Sequence, residues 1–274
     1  RFNLIMGEGR NDAPMNQETY DVISIDATSP KMAGNGSLYA LEFYRLLGER
    51  LSEEGLAVQW LPIHLLSDAE VRMTARTFQE AFPHTTLWLS PLRRHGVLVG
   101  SRQPLAIDFG ALQSKLQREG VRAELSRFNV RDAYDFLAWF VMGEEPLAEY
   151  VEGALLNTDG HPYLEFSPAK AFFQAREYQV RNLAALRDWR ENVFPLLTNV
   201  GDTQEEIAVV AEKVQKRYEA TQHSIAGDIF LSLGRRQEAR LEYNRARAID
   251  PDDKNWMNPA WEAGDDVRDG GDSP

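Results

Sequence analysis

Residues 20–39 read YDVISIDATSPKMAGNGSLY, an apolar run that passes straight into an acidic loop rich in Pro and Gly. Val22, Ile23 and Ile25 have the continuous apolar character of a strand buried in a parallel sheet. Asp26 then falls at the carboxyl end of that strand, where open α/β sheets place the groups that handle ligands. A carboxylate there, followed by Ser29-Pro30 and by Gly34 and Gly36, is a candidate reactive group. The competing reading is an ordinary acid at a strand end.

Working outward, residues 38–51 (LYALEFYRLLGERL) put Leu38, Leu41, Tyr44 or Arg45, and Leu47 or Gly48 on one face, as a crossover helix would. Gly55 to Gln59 predicts the next buried strand, ending in Gln. Residues 78–101 predict a helix that stops at Pro83, two strands, and a small-residue stop at Gly100-Ser101. Residues 1 to about 102 therefore read as a parallel sheet with crossover helices. From Asp108 the pattern turns helical over 109–118, 131–142 and 146–155, with Gly120, Gly143 and Gly153 as helix stops. Beyond Pro168 it is almost all helix, the longest stretches being 170–189 and 204–218.

Within that helical part, residues 220–252 scan as one tetratricopeptide-like (TPR) repeat. Gly227, Ala239 and Ala246 sit where two helices would press together, Phe230 and Tyr243 fill the aromatic positions, Gly234 makes the turn and Pro251 closes it. His223 stands where a Trp is usual. One such repeat cannot bury its own faces, so it must pack on residues 204–218. It reads either as a groove for a protein partner or as a helical cap. Residues 253–274, rich in Asp, Gly and Pro, read as a disordered acidic tail.

Composition narrows the classes. The 274 residues carry 30 Lys and Arg against 42 Asp and Glu, a net charge of −12, which argues against a nucleic-acid surface. No apolar run approaches the ~18 residues that span a bilayer. With no cysteine there are neither disulfides nor thiolate metal sites. His64, His84, His95, His161 and His223 show no metal-ligand spacing, and no Ser lies in a Gly-x-Ser-x-Gly elbow, so metal and hydrolase readings have no support. A cytoplasmic location is expected.

Asp26-Ala27-Thr28-Ser29-Pro30, Gly55 to Gln59, and residues 78–101, in that order, resemble the spermidine synthase (polyamine aminopropyltransferase) family. The family's loop is Asp-x-x-Asp-Pro; here the first acid and the proline are kept and Ser29 replaces the second acid. Residues 2–9 (FNLIMGEG) are similar to the family's third strand and Gly-Asp-Gly turn, with Glu8 in the Asp position. Residues 157–166 (NTDGHPYLEF) are similar to the branch fused behind a membrane-embedded, transporter-like portion. On this resemblance the chain reads as the C-terminal part of a longer protein, because the family's Gly-rich nucleotide loop does not occur in it. The fold implied is α/β: an incomplete Rossmann-like sheet of the S-adenosylmethionine-dependent transferase type over 1–168, followed by an all-α region over 169–252.

The resemblance implies transfer of an aminopropyl group from the co-substrate decarboxylated S-adenosylmethionine to a polyamine or other small amine. Asp26 would be the base, Gln59 would orient the amine, Ser29 and Ser90 would lie where the family grips the acceptor, and Glu8 would lie by the adenine. Ser90 stands where the family carries a Tyr. Losing a charged partner and a hydroxyl weakens the hold on a diamine, so the acceptor need not be putrescine. By itself the chain is expected to be inactive, with a membrane link only through a preceding portion and with a possible homodimer. Two other readings stay open: a non-catalytic scaffold or ligand sensor that works through the TPR-like surface, and another S-adenosylmethionine-dependent transferase, such as a methyltransferase.

Overall fold

The computed structural model describes residues 10, 18–26, 29–32, 34–167, 171–253 and 255. The described residues fall into two compact units interleaved along the chain. The first draws on Arg1–Trp88, Arg94–Leu105 and Met142–Asn182; the second on Leu89–Arg93, Ala106–Val141 and Leu183–Pro274.

In the first unit, β1 (Tyr20–Ile25) is followed by a 3-10 turn (Asn35–Tyr39) and helix α1 (Leu41–Gly48). Strand β2 (Leu51–Leu61), helix α2 (Asp68–Ala81), β3 (His84–Leu89) and β4 (Gly96–Ser101) come next. The strands are hydrogen-bonded in the order β1-β2-β4-β3. β1 pairs parallel with β2, Ile25 opposite Gln59, whereas β2 pairs antiparallel with β4, Gln59 opposite Leu98. The fold is thus α/β, but its sheet mixes parallel and antiparallel pairs rather than being the parallel sheet expected. The physical reason is the short turn at residues 90–95: a tight connection joins antiparallel neighbours, and it returns β4 alongside β3 and into the place next to β2.

The burial of β1 also differs from expectation. Val22 is 59% exposed and only Ile25 is buried, because β1 ends the strand order among the described residues. The apolar run there marks strand propensity, not coverage on both faces. The core lies beneath β2 and β4. Tyr44 of α1 meets Phe78 of α2 edge-on at 5.1 Å, and Phe78 meets Phe82 at 4.7 Å. Gly100 in β4 allows this, since a Cβ there would fall 2.6 Å from the Phe82 Cβ. The expected apolar face of α1 is realised by Leu41, Phe43, Tyr44 and Leu47.

In the second unit, β5 (Ile107–Asp108) pairs with β7 (Leu197–Thr198), and helices α3 (Phe109–Leu116), α4 (Glu119–Leu125) and α5 (Ala133–Leu137) follow β5. Phe140–Met142, expected to close a helix, is a strand, β6; its apolar run is too short for periodicity to separate the two states. Helix α6 (Glu144–Tyr150) then returns the chain to the first unit, with Gly143 as its N-cap; Gly120 sits in the first turn of α4. Neither glycine is a helix stop, whereas Gly153 has the left-handed φ of 73° that such a stop uses. α7 (Ala171–Asp188) leads to α8 (Gln204–Ser232), 29 residues without a break where two helices were expected, and to α9 (Arg236–Ile249).

α8 and α9 pack as a hairpin that turns at Gly234, φ 77°. A Cβ on Gly227 would enter the Tyr243 ring. The Tyr243 hydroxyl donates to Asp228 Oδ1 at 2.6 Å, and Arg93 pairs with Asp228 Oδ2 at 2.5 Å. No helix among the described residues is long and apolar enough to cross a membrane. Gly227→Leu overpacks the α8–α9 contact at a cost of about 1–3 kcal/mol and is expected to lower the melting temperature. Calorimetry showing unaltered melting would mean that the two helices do not meet as described.

Candidate functional site

Because β1 and β2 run parallel, their carboxyl ends lie at the same edge of the sheet. Asp26 directly follows Ile25, the partner of Gln59, and is exposed. Beyond it, Ser29 to Met32 are held in place. Ser29 is buried, its carbonyl accepting from the Met32 N–H at 3.1 Å and its Oγ from the Lys31 N–H at 3.4 Å. The Lys31 side chain is buried and pairs with Glu70 at 2.9 Å. Glu70 also receives hydrogen bonds from the Ser67 N–H (2.6 Å), the Ser67 hydroxyl (2.8 Å) and the Ser167 hydroxyl. Burial alone would raise the Glu70 pKa, but these hydrogen bonds outweigh it and hold the carboxyl below its ordinary range. Glu70 thus both caps α2 and anchors the loop.

Gln59 is fully buried. Its Oε1 accepts from the Tyr44 hydroxyl at 3.1 Å, its Nε2 donates to the Trp60 carbonyl at 2.8 Å, and its amide is also hydrogen-bonded to Tyr39. This amide braces two phenols. Tyr39, also fully buried, has its pKa pushed above the ordinary phenol value by burial first and by the Asp26 carboxylate second, with Gln59 opposing. Asp26, Gln59 and Tyr39 therefore form one electrostatically connected group. In the sequence Tyr39 stands where the loop ends and the 38–51 stretch begins; an aromatic beside an amphipathic helix carries no signal that separates a site wall from core.

The Asp26 carboxylate also acts on His95. The His95 ring lies 5.1 Å from Trp60 and 4.8 Å from His64, edge-on to the latter, and His64 Nδ1 is 3.0 Å from the Arg94 carbonyl. Burial lowers both imidazole pKa values; for His95, His64 and Arg94 lower it further while Asp26 opposes. Among the described residues no group of three or more His, Asp and Glu could hold a metal ion. Ser90 belongs to the second unit, where its carbonyl accepts from the Arg93 N–H at 2.8 Å. Glu8 lies outside the described residues. Of the residues singled out from sequence, then, Asp26, Ser29 and Gln59 are brought to one sheet edge and its loop.

This geometry can be set beside known proteins. No family model matches the chain. Over 128 residues it is 27% identical to a polyamine aminopropyltransferase of Ruegeria sp. (strain TM1040). The likeness is distant. The alignment covers 47% of this chain and 43% of the relative, so the chain spans less than half the length of the protein it matches.

The His64–His95 pair has a consequence for pH. In the folded chain both imidazoles lie below the ordinary value of 6.5, so between the folded and ordinary values the unfolded chain binds more protons. The stability they contribute is complete above about pH 6.5 and is lost as pH falls through that value toward the folded one. The melting temperature is expected to fall between about pH 7.5 and 5.5, and to fall less in the His64→Gln/His95→Gln double variant. An equal fall in both proteins contradicts this assignment.

Proposed function

We propose that the sheet edge at Asp26 is the acceptor side of an aminopropyl-transfer site, with Asp26 as the base. The observation that carries this reading is an exposed carboxylate at the carboxyl end of β1, coupled to Tyr39 and His95 and backed by Gln59, in a chain distantly similar over 128 residues to a polyamine aminopropyltransferase. The acceptor is a polyamine or another small amine, and the co-substrate is decarboxylated S-adenosylmethionine.

Asp26 first holds the acceptor as an ammonium ion and then takes one of its protons, leaving a lone pair on nitrogen. That lone pair attacks the methylene carbon next to the sulfonium. A C–N bond forms, the C–S bond breaks with its electron pair passing to sulfur, and the neutral thioether methylthioadenosine leaves. The product keeps the positive charge as a secondary ammonium, and the proton on Asp26 passes to solvent. Little further activation is needed, since a sulfonium is a good leaving group; the chain's task is to deprotonate and aim the amine. Gln59 acts here mainly through the phenols that it braces. Ser29 and Ser90 remain proposed acceptor-side residues, and Glu8 the proposed adenine-side acid.

We read the α8–α9 hairpin as a TPR-type unit in a structural role. Support comes from Asp228, whose two oxygens are taken by Tyr243 and Arg93 of the same unit, so the chain's own side chains fill that part of the hairpin. In a transfer assay on the protein, Asp26→Asn keeps the shape and removes proton acceptance. Turnover is expected to fall by about 10²-fold or more. Transfer at the parental rate would remove Asp26 from the mechanism.

A further inference from the structure

Residues 157–165 carry an arrangement that the transfer chemistry does not by itself use. Asn157 is fully buried, and every polar group it owns is engaged. Its Nδ2 donates to the carbonyls of Gly36 and Tyr39, both at 3.1 Å. Its Oδ1 accepts from the Leu164 N–H at 3.2 Å, its own N–H donates to Thr77 Oγ1 of α2 at 3.0 Å, and its carbonyl accepts from the Leu41 N–H at 2.9 Å. One residue thus ties both ends of the 35–39 turn to the first residue of α1 and to the middle of α2.

Glu165 closes the same turn from its other side. Its Oε1 accepts from the Gly34 N–H at 3.2 Å, and its Cβ comes so near Gly36 that a side chain there would meet it at 2.8 Å. Gly34 holds a φ of 85°, which a residue with a Cβ rarely adopts. Leu164 and Met73 pack against Tyr39 and fill the space below the turn. The turn is therefore clamped at Gly34, Gly36 and Tyr39 by a segment more than a hundred residues away in sequence. Tyr39 in turn reaches Gln59, whose strand partner Ile25 immediately precedes Asp26.

We propose that Asn157 is the positioning residue of the Asp26 site: its amide sets the 35–39 turn so that the Tyr39 phenol is held on Gln59 beside the strand end that carries Asp26. Asn157 touches no substrate and acts through Tyr39. The proposal rests on the reading of Asp26 as the reactive carboxylate, but its test does not require turnover. Replacing Asp26 by Asn removes a charge that acts on Tyr39, so the ring signals of Tyr39 in spectra of the tyrosine-labelled chain are expected to move between the parent and Asp26→Asn; signals that stay still would overturn the proposal at once.

The experiment repeats that comparison in an Asn157→Ala background. The expected result is a folded protein in which most of the Asp26-dependent shift at Tyr39 is lost, while the other tyrosine signals keep their dispersion. A purely structural Asn157 would lower the melting temperature and leave the shift at full size, and that outcome overturns the proposal. Should Asn157→Ala fail to fold, Asn157→Leu takes its place; it keeps the volume and removes both donors to Gly36 and Tyr39, and the same loss or persistence of the shift decides. If the Asp26-to-Tyr39 shift is present and Asn157-dependent but Asp26→Asn transfers aminopropyl groups at the parental rate, the positioning holds and the transfer reading alone falls.

Discussion

Two hydrogens on one buried amide hold the wall of the candidate site. The 3-10 turn at 35–39 is short and such turns have poor internal hydrogen-bond geometry; the Ala40 N–H reaches the Ser37 carbonyl only at 3.3 Å, and other carbonyls of the turn draw on an outside donor. Asn157 satisfies those of Gly36 and Tyr39. Leaving either buried carbonyl unpaired would cost about 1–3 kcal/mol, a large share of the marginal stability of a domain. The same constraint explains the two glycines of the turn: Gly34 supplies a left-handed φ, and Gly36 leaves room for Glu165. Tyr39 is buried because the turn is clamped, and Gln59 is occupied because Tyr39 and Tyr44 are there to be braced.

Two carboxylates near this turn show how environment separates roles. Glu70 is buried among a lysine and two serines and is held below its ordinary pKa by several hydrogen bonds, so it is a fixed anchor. Asp26 stands exposed at the strand end and acts on Tyr39 and His95 through space. A base must stay accessible and exchange its proton, and a buried, fully bonded acid does neither easily. The neutral His64–His95 pair on Trp60 adds no positive charge beside Asp26 near neutral pH, a setting that suits a cationic amine.

Much of the local structure is legible in the sequence. The strands at Tyr20 and Gly55, the stop near Gly100 and the helices from Ala171 onward follow from apolar period and punctuation. Position within the sheet does not. Val22 has the same side chain whether its strand is central or last, so its exposure had no local sign. Phe140–Met142 is too short to distinguish helix from strand, and the break expected after Tyr218 depended on a repeat template rather than on any residue that ends a helix. Asp26 and Gln59 are legible as strand-end polar groups. Asn157 is not, because its partners at Gly36 and Tyr39 are far away in the chain and only the fold brings them together.

The central claim is that an amine binds at Asp26. It is tested most directly by carbon NMR of the aspartate-labelled chain titrated with putrescine near neutral pH. The account predicts that the Asp26 carboxylate signal moves saturably, that the Tyr39 ring signals follow the same curve, and that Asp135, buried in the second unit against Arg131 and Arg217, stays still. An Asp26 signal that moves neither with putrescine nor with spermidine or a simple monoamine, at any concentration the folded chain tolerates, would contradict it.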